Sequence, residues 1–216
     1  MIPDRVGGGI MKSGIWDDYG EWDEIASGND VSRIKSKITG DGISWKPNFC
    51  SPQLSYVFSS LVEHSDFVDD AIPTVLDFGC GLGRNGQMLQ RHFPRVVGFD
   101  LPQMVKHLGA SPAAKRYDAI YENINVICAN EKVHLIYDSV VFQHFADKGY
   151  CQSAIEALVA MPSLNVFVSI RHGLIPRESC HVLNVLVPMG WKHIHSEIDT
   201  LSFDGEAHEL VVMKRA

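Results

Sequence analysis

The stretch from Thr74 to Asn85, Thr-Val-Leu-Asp-Phe-Gly-Cys-Gly-Leu-Gly-Arg-Asn, constrains this chain more than any other. An apolar run closes on Asp77, glycines follow at 79, 81 and 83, and a helical pattern begins at Gly86. That order predicts a buried strand turning sharply into a helix. Glycine admits positive φ and, having no Cβ, lets a ligand lie directly against the main chain. The unpaired amides at the start of the following helix are expected to favour a negatively charged group, a carboxylate or a phosphate.

Two nucleotide-type ligands compete for such a loop. The dinucleotide fingerprint G-x-G-x-x-G/A, begun at Gly79, requires a small residue where this chain has Arg84, and it usually lacks an acid where this chain has Asp77. The alternative is D-x-G-x-G-x-G, intact here as Asp77-Phe-Gly79-Cys-Gly81-Leu-Gly83 and extended by Arg84-Asn85. This segment resembles motif I of the class I S-adenosylmethionine (SAM) dependent methyltransferases. The resemblance covers residues 71–216 and implies an α/β fold: an open, doubly wound, mostly parallel seven-stranded sheet whose last strand is antiparallel. It implies SAM as cofactor, lying across the carboxyl ends of the first, second and fourth strands. Asp77, Gly79, Cys80, Gly81, Gly83 and Asn85 are the loop residues expected against it.

The second strand, Arg95 to Phe99, ends at Asp100. Its distance from the first glycine, about twenty residues, is that of a β-α-β unit, which places Asp100 at the carboxyl end of the neighbouring strand. There a carboxylate can accept both ribose hydroxyls, with Leu101 beside it. The competing reading is a turn acid ahead of Pro102. For the third strand, Arg116 to Tyr121 is preferred over Asn125 to Asn130, because it leaves about ten residues before the next strand. On that register Asn123, or Glu122, meets the adenine amino group and Ile124 packs on the ring. Val133 to Ser139 is a clearer buried strand. The segment after it, Val141-Phe142-Gln143-His144, resembles the family's fourth-strand segment, which implies that Asp138 and Ser139 lie beside the methionine end of SAM.

Tyr150 to Met161 and Glu178 to Val187 read as helices. Leu164 to Ile170 reads as a fifth strand with Arg171-His172 at its carboxyl edge, and Trp191 to Glu197 with Glu209 to Met213 as a closing antiparallel pair. His193 and His195 are expected on one strand face, a spacing metals use. With no third ligand in reach, a solvent-facing pair is the better reading. Residues 1–70 form a separate part, a Gly-rich tail followed by a helical N-terminal cap. Its aromatic residues Trp16, Tyr19, Trp22 and Trp45 either pack on the core or roof a ligand pocket. His144 is the candidate proton acceptor, against a packing role. Arg171, His172, Trp16 and Tyr19 are the candidate substrate contacts.

At 216 residues the chain holds one well-buried domain plus an extension. A net charge of -7 with no basic run argues against a nucleic-acid partner, whose phosphates are met by clustered Lys and Arg. No apolar stretch reaches the roughly 20 residues of a membrane helix. Five scattered cysteines without C-x-x-C spacing point to reduced thiols and a cytoplasmic protein. The absence of a D/N-P-P-Y/F segment after the fourth strand, where Asp138-Ser-Val-Val stands, and of a Pro-Cys nucleophile disfavours a nucleic-acid methyltransferase. The expected function is therefore methyl transfer to a small molecule. A SAM-binding partner subunit without catalysis is the second reading, and a nicotinamide-dependent reductase the third.

Overall fold

The computed structural model describes residues 28, 32, 55, 58, 59, 73–144, 148–172, 181–199 and 208–216, without the side chains of 144, 148, 172 and 199. The expected N-terminal cap, with Trp16 and Tyr19, lies almost wholly outside the described residues. So do Cys50, Cys180 and the first part of the helix expected from Glu178.

The described residues build a seven-stranded sheet from β1 (Thr74–Phe78), β2 (Arg95–Phe99), β3 (Ala119–Tyr121), β4 (Leu135–Ser139), β5 (Val166–His172), β6 (Lys192–Asp199) and β7 (His208–Lys214). Their spatial order is β3-β2-β1-β4-β5-β7-β6. All pairings from β3 to β5 are parallel, and β7 runs antiparallel to both its neighbours. The connecting helices are α1 (Gly86–Leu89), α2 (Pro102–Gly109), α3 (Ile124–Asn130), α4 (Lys148–Val159) and α5 (Val182–Leu186). A 3-10 turn, Pro112–Arg116, precedes β3.

β1 and β4 are buried along their full length, as strands covered on both faces must be, which is why they read as near-continuous apolar runs. Alternate residues feed two cores. Leu76, Phe78, Val97, Phe99, Ile136 and Phe167 pack on one face, and Val75, Val96, Leu135, Tyr137, Val166 and Val168 on the other. Phe78 stacks between Phe99 and Phe142, with ring centroids 5.1 and 4.8 Å away. The strand order reverses at β1, which lies between β2 and β4. In open α/β sheets the crevice at such a switch point, outside the carboxyl ends of the strands, is where ligands sit.

The favoured third strand is the observed one, shortened to Ala119–Tyr121, and the rejected candidate is helix α3, capped by Asn123. Two expectations are corrected. A bulge between His193 and His195 pairs them with Met213 and Val212, adjacent residues on opposite faces of β7, so the two histidines do not share a face. Cys151 is disulfide-bonded rather than reduced, while Cys80 and Cys128 are free thiols. Helix α1 spans only four residues. Among the described residues no helix is long and apolar enough to cross a membrane.

Candidate active site

The loop after β1 takes the shape its glycines permit: φ is +74° at Gly79, +54° at Gly81 and +79° at Gly83. Its amides are spent on holding it in place. Gly79 N and Cys80 N donate to Phe99 O at 2.8 and 3.0 Å, and Gly83 N donates to Cys80 O at 2.9 Å. Gly81 N donates to Asp100 Oδ2 at 2.5 Å. The loop is thereby stitched to the carboxyl end of β2.

The surroundings of the loop are acidic. Asp77 on β1, Asp100 after β2 and Asp138 on β4 are all buried at the carboxyl edge of three neighbouring strands. Burial pushes the Asp77 carboxyl up to about 7, against the lowering effect of a hydrogen bond from Tyr117; Asp100 nearby raises it, and Asn85 and Arg84 lower it. Asp100 is pushed up to about 6 by burial, partly offset by the amides of Gly81 and Leu101. Leu101 N reaches its Oδ1 at 2.7 Å. Asp138 is pushed up to about 7, again by burial, with Ser169 opposing. Such desolvated carboxylates are stabilised in their charged form by a nearby cation.

The carboxylates differ in how fully they are used. Asp138 Oδ2 accepts from Ser169 Oγ at 2.6 Å and its Oδ1 from Val141 N at 3.0 Å, so it ties β4 to β5 and to its own exit turn. Asp77 Oδ2 accepts from the Tyr117 hydroxyl at 2.7 Å, but its Oδ1 is buried without a hydrogen-bond partner among the described residues. A buried acceptor left open in this way can take a donor from a bound ligand or an ordered water, and Asn85 also acts on this carboxylate.

The turn leaving β4 carries strain. Val140 has φ +67°, a conformation that a β-branched side chain resists. It is held there by Val140 N donating to Ile170 O at 2.8 Å. The turn brings Val141 over the first glycine: a Cβ at Gly79 would stand 2.2 Å from Val141 Cγ2. Ser139 is buried at the end of β4, and Asn85 and Cys80 are buried within the loop. Asn123 stands at the end of β3, but its Oδ1 accepts from Asn125 N at 2.9 Å as a helix cap. The adjoining Ile124 is buried in the core.

On the acceptor side, the 3-10 turn Phe142–His144 follows β4 and His172 ends β5. The side chains of both histidines lie outside the description. Arg171 is buried and stands directly opposite Glu209 across the β5-β7 ladder. Glu209 Oε2 lies 3.4 Å from His181 Nε2, while His181 Nδ1 accepts from Leu183 N at 3.1 Å. This second bond assigns the imidazole proton to Nε2, the nitrogen facing Glu209. Glu209 and His181 were not anticipated, and they make the Arg171 corner a buried polar cluster rather than a lone cation.

No family model matches the sequence, and neither does any curated protein. The fold does have solved counterparts. Magnesium protoporphyrin IX methyltransferase from Synechocystis, with bound SAM, superposes over 91% of this chain and 97% of its own, with TM-score 0.59 at 15% identity. The N-methyltransferase NodS from Bradyrhizobium japonicum, in complex with S-adenosylhomocysteine, covers 92% and 98% at TM-score 0.57 and 17% identity. A SAM-dependent methyltransferase from Anabaena variabilis covers 91% and 94% at TM-score 0.60 and 14% identity. The strand order and the antiparallel β7 decide the matter. This is the class I methyltransferase fold. At these identities the likeness speaks for the architecture, and the ligand must be argued from this chain's own residues.

Proposed function

We propose that the chain is a SAM-dependent methyltransferase acting on a small-molecule acceptor. The observation that carries the reading is the convergence of three buried carboxylates, Asp77, Asp100 and Asp138, around the glycine loop, with Asp77 Oδ1 left as an open acceptor. A dinucleotide would bring two anionic phosphates into this acidic edge, whereas SAM brings a sulfonium, an ammonium and a ribose diol, with a single carboxylate. The acidic acceptors suit the ammonium and the two hydroxyls. In this reading Asp77 faces the ammonium and Asp100 the ribose. Gly79, Cys80, Gly81, Gly83 and Asn85 shape the loop side, and Leu101, Asn123 and Ile124 border the adenine. Ser139 lies at the methionine end, and Asp138 acts from beneath by fixing the β4 exit turn.

Bound SAM supplies an activated methyl group on a positively charged sulfur. The chain's contribution is to orient that group and the acceptor and to exclude water. His144 is proposed to take a proton from the acceptor when its nucleophile is protonated, and His172 and Arg171 to line the acceptor side. Residues 1–70, with Trp16 and Tyr19, are proposed as the cover of that pocket over a core domain of residues 71–216. A cytoplasmic location is part of the proposal, and the Cys151 disulfide is the observation that weighs against it.

Titration calorimetry with SAM, S-adenosylhomocysteine and NADPH tests the cofactor, and transfer of labelled methyl from SAM into metabolite extracts tests the reaction. Binding of NADPH without SAM would sink the proposal. SAM binding with no transfer to any extract would mark a non-catalytic partner subunit instead.

A further inference from the structure

One residue of the site lies outside every motif. Tyr117 follows the 3-10 turn Pro112–Arg116, far from the loop in sequence, yet its hydroxyl reaches Asp77 Oδ2 at 2.7 Å. Its ring gets there through a slot made by three glycines. A Cβ at Gly86 would stand 2.9 Å from the ring, one at Gly98 3.0 Å, and one at Gly83 3.3 Å. At Gly86 a Cβ could not be accommodated without displacing the ring, and at Gly98 and Gly83 the ring or a neighbouring side chain would have to give by a few tenths of an ångström. The flanking residues hold the same frame. Arg116 Nη1 donates to Gly83 O at 3.0 Å, and Asp118 exchanges bonds with Val96, its Oδ2 accepting from Val96 N and its amide donating to Val96 O, both at 2.8 Å. Residues 116–118 thus clamp the glycine loop, the acid beneath it and the second strand together.

We propose that Tyr117 is a positioning residue for the cofactor site: admitted by Gly83, Gly86 and Gly98, its hydroxyl fixes Asp77 Oδ2, favours the ionised carboxylate and leaves Oδ1 for the ligand. The proposal rests on the SAM reading above. A phenol that donates to a buried carboxylate stabilises its ionised form and fixes one oxygen, which leaves Oδ1 as the oxygen without a hydrogen-bond partner among the described residues. Other groups act on Asp77 from each surrounding element. Cys80, Arg84 and Asn85 come from the loop, Asp100 from the end of β2, and Tyr137 and Asp138 from β4. Asp100 opposes ionisation of Asp77 while Arg84 and Asn85 support it. Tyr117 is the strongest of the supporting groups, and among the described residues Asp77 is the hydrogen-bond partner of its hydroxyl.

The test is calorimetric SAM binding across pH 6 to 9 for the parent protein, Tyr117→Phe and Gly98→Ala, with thermal unfolding of each ligand-free protein alongside. Parent affinity is expected to fall below about pH 7 as Asp77 takes up a proton. Tyr117→Phe keeps the ring and loses only the donor, so the midpoint is expected to rise by about one to two pH units, the scale of one hydrogen bond to a charged group. Affinity at pH 7 then drops by about tenfold or more and recovers towards the parent value near pH 9. If Tyr117→Phe does not accumulate as a folded protein, Gly98→Ala carries the test. Its methyl group displaces the ring, and an upward shift in the same direction is expected. An unmoved midpoint, including a loss of affinity uniform across pH with a lowered unfolding temperature, would reduce Tyr117 to a packing residue and overturn the proposal alone. A parent protein that binds no SAM at any pH would overturn the cofactor reading and this inference with it.

Discussion

At Asp100 one carboxylate has two duties, and a substitution separates them. It accepts from the Gly81 and Leu101 amides, and in the proposed complex it also accepts the ribose hydroxyls. Hydrogen bonds to a charged group contribute about 1.5 to 3 kcal/mol, so Asp100→Ala is expected to weaken SAM binding about ten- to a hundredfold by calorimetry. An unchanged dissociation constant would remove Asp100 from the site. Val140 gives a prediction of opposite character. A non-glycine residue at positive φ costs about 1 to 2 kcal/mol, while half-burying its methyl groups returns about 1 kcal/mol. Asparagine tolerates this conformation, so Val140→Asn should leave unfolding stability within about 1 kcal/mol of the parent in urea titrations. A loss beyond about 2 kcal/mol would show that packing, not strain, governs the turn. Asp77 and the three glycines of the loop were legible in the sequence because their spacing is local. Tyr117 was not, because its slot is assembled from Gly83, Gly86 and Gly98 on two separate elements, and no periodicity reports a tertiary contact.

The elements themselves were legible wherever burial on both faces writes a continuous apolar run, as at β1, β2, β4 and β5. Errors arose where a local irregularity breaks the period. One extra residue at Ile194 turns His193 and His195 to opposite faces, which alternation alone cannot reveal. The end of α4 was also invisible. Arg215, beyond β7, donates Nη2 to Val159 O and, at 3.1 Å, to Met161 O, with Nη1 3.3 Å from Pro162 O. Its guanidinium lies 5.4 Å from the Trp191 ring centroid. The arginine serves as a C-terminal cap supplied from the far end of the chain, satisfying carbonyls that a helix leaves without partners. Arg215→Ala should therefore destabilise by about 1 to 3 kcal/mol in denaturant unfolding, with Arg215→Lys recovering only part, since an ammonium lacks the planar fork. A parent-like midpoint for the alanine variant would show that water caps α4 equally well.

Across the whole molecule, one sheet edge gathers the charge that folding disfavours. Asp77 and Asp138 are pushed up to about 7 and Asp100 to about 6, against 3.8 for the free side chain. The native state therefore holds protons that the unfolded chain has released, so their contribution to stability is present in full below about pH 4 and is lost as pH rises through 6 to 7. The unfolding temperature of the ligand-free protein is expected to fall between about pH 4 and 7 and to level off above, while the gain on adding SAM widens as the acids ionise, because a cation restores what ionisation costs. A gain independent of pH would mean that these acids do not face the ligand. The same geometry separates the two ends of the reaction. Every residue proposed to hold the cofactor lies between Asp77 and Ser139, on elements of the core sheet, whereas an acceptor must approach the methyl from outside the carboxyl edge. The aromatic cluster at Trp16 to Trp22 belongs to the chain preceding that sheet. Deleting Met1 to Trp22 is accordingly expected to leave SAM affinity nearly unchanged and to abolish methyl transfer, since the proposed cover would shape the acceptor pocket and exclude water without gripping the cofactor. Calorimetry and a labelled-methyl assay on the truncated protein distinguish the two effects. Full turnover in a folded truncation would place the whole acceptor site on the core, and loss of SAM binding would give the cover a share in holding the cofactor.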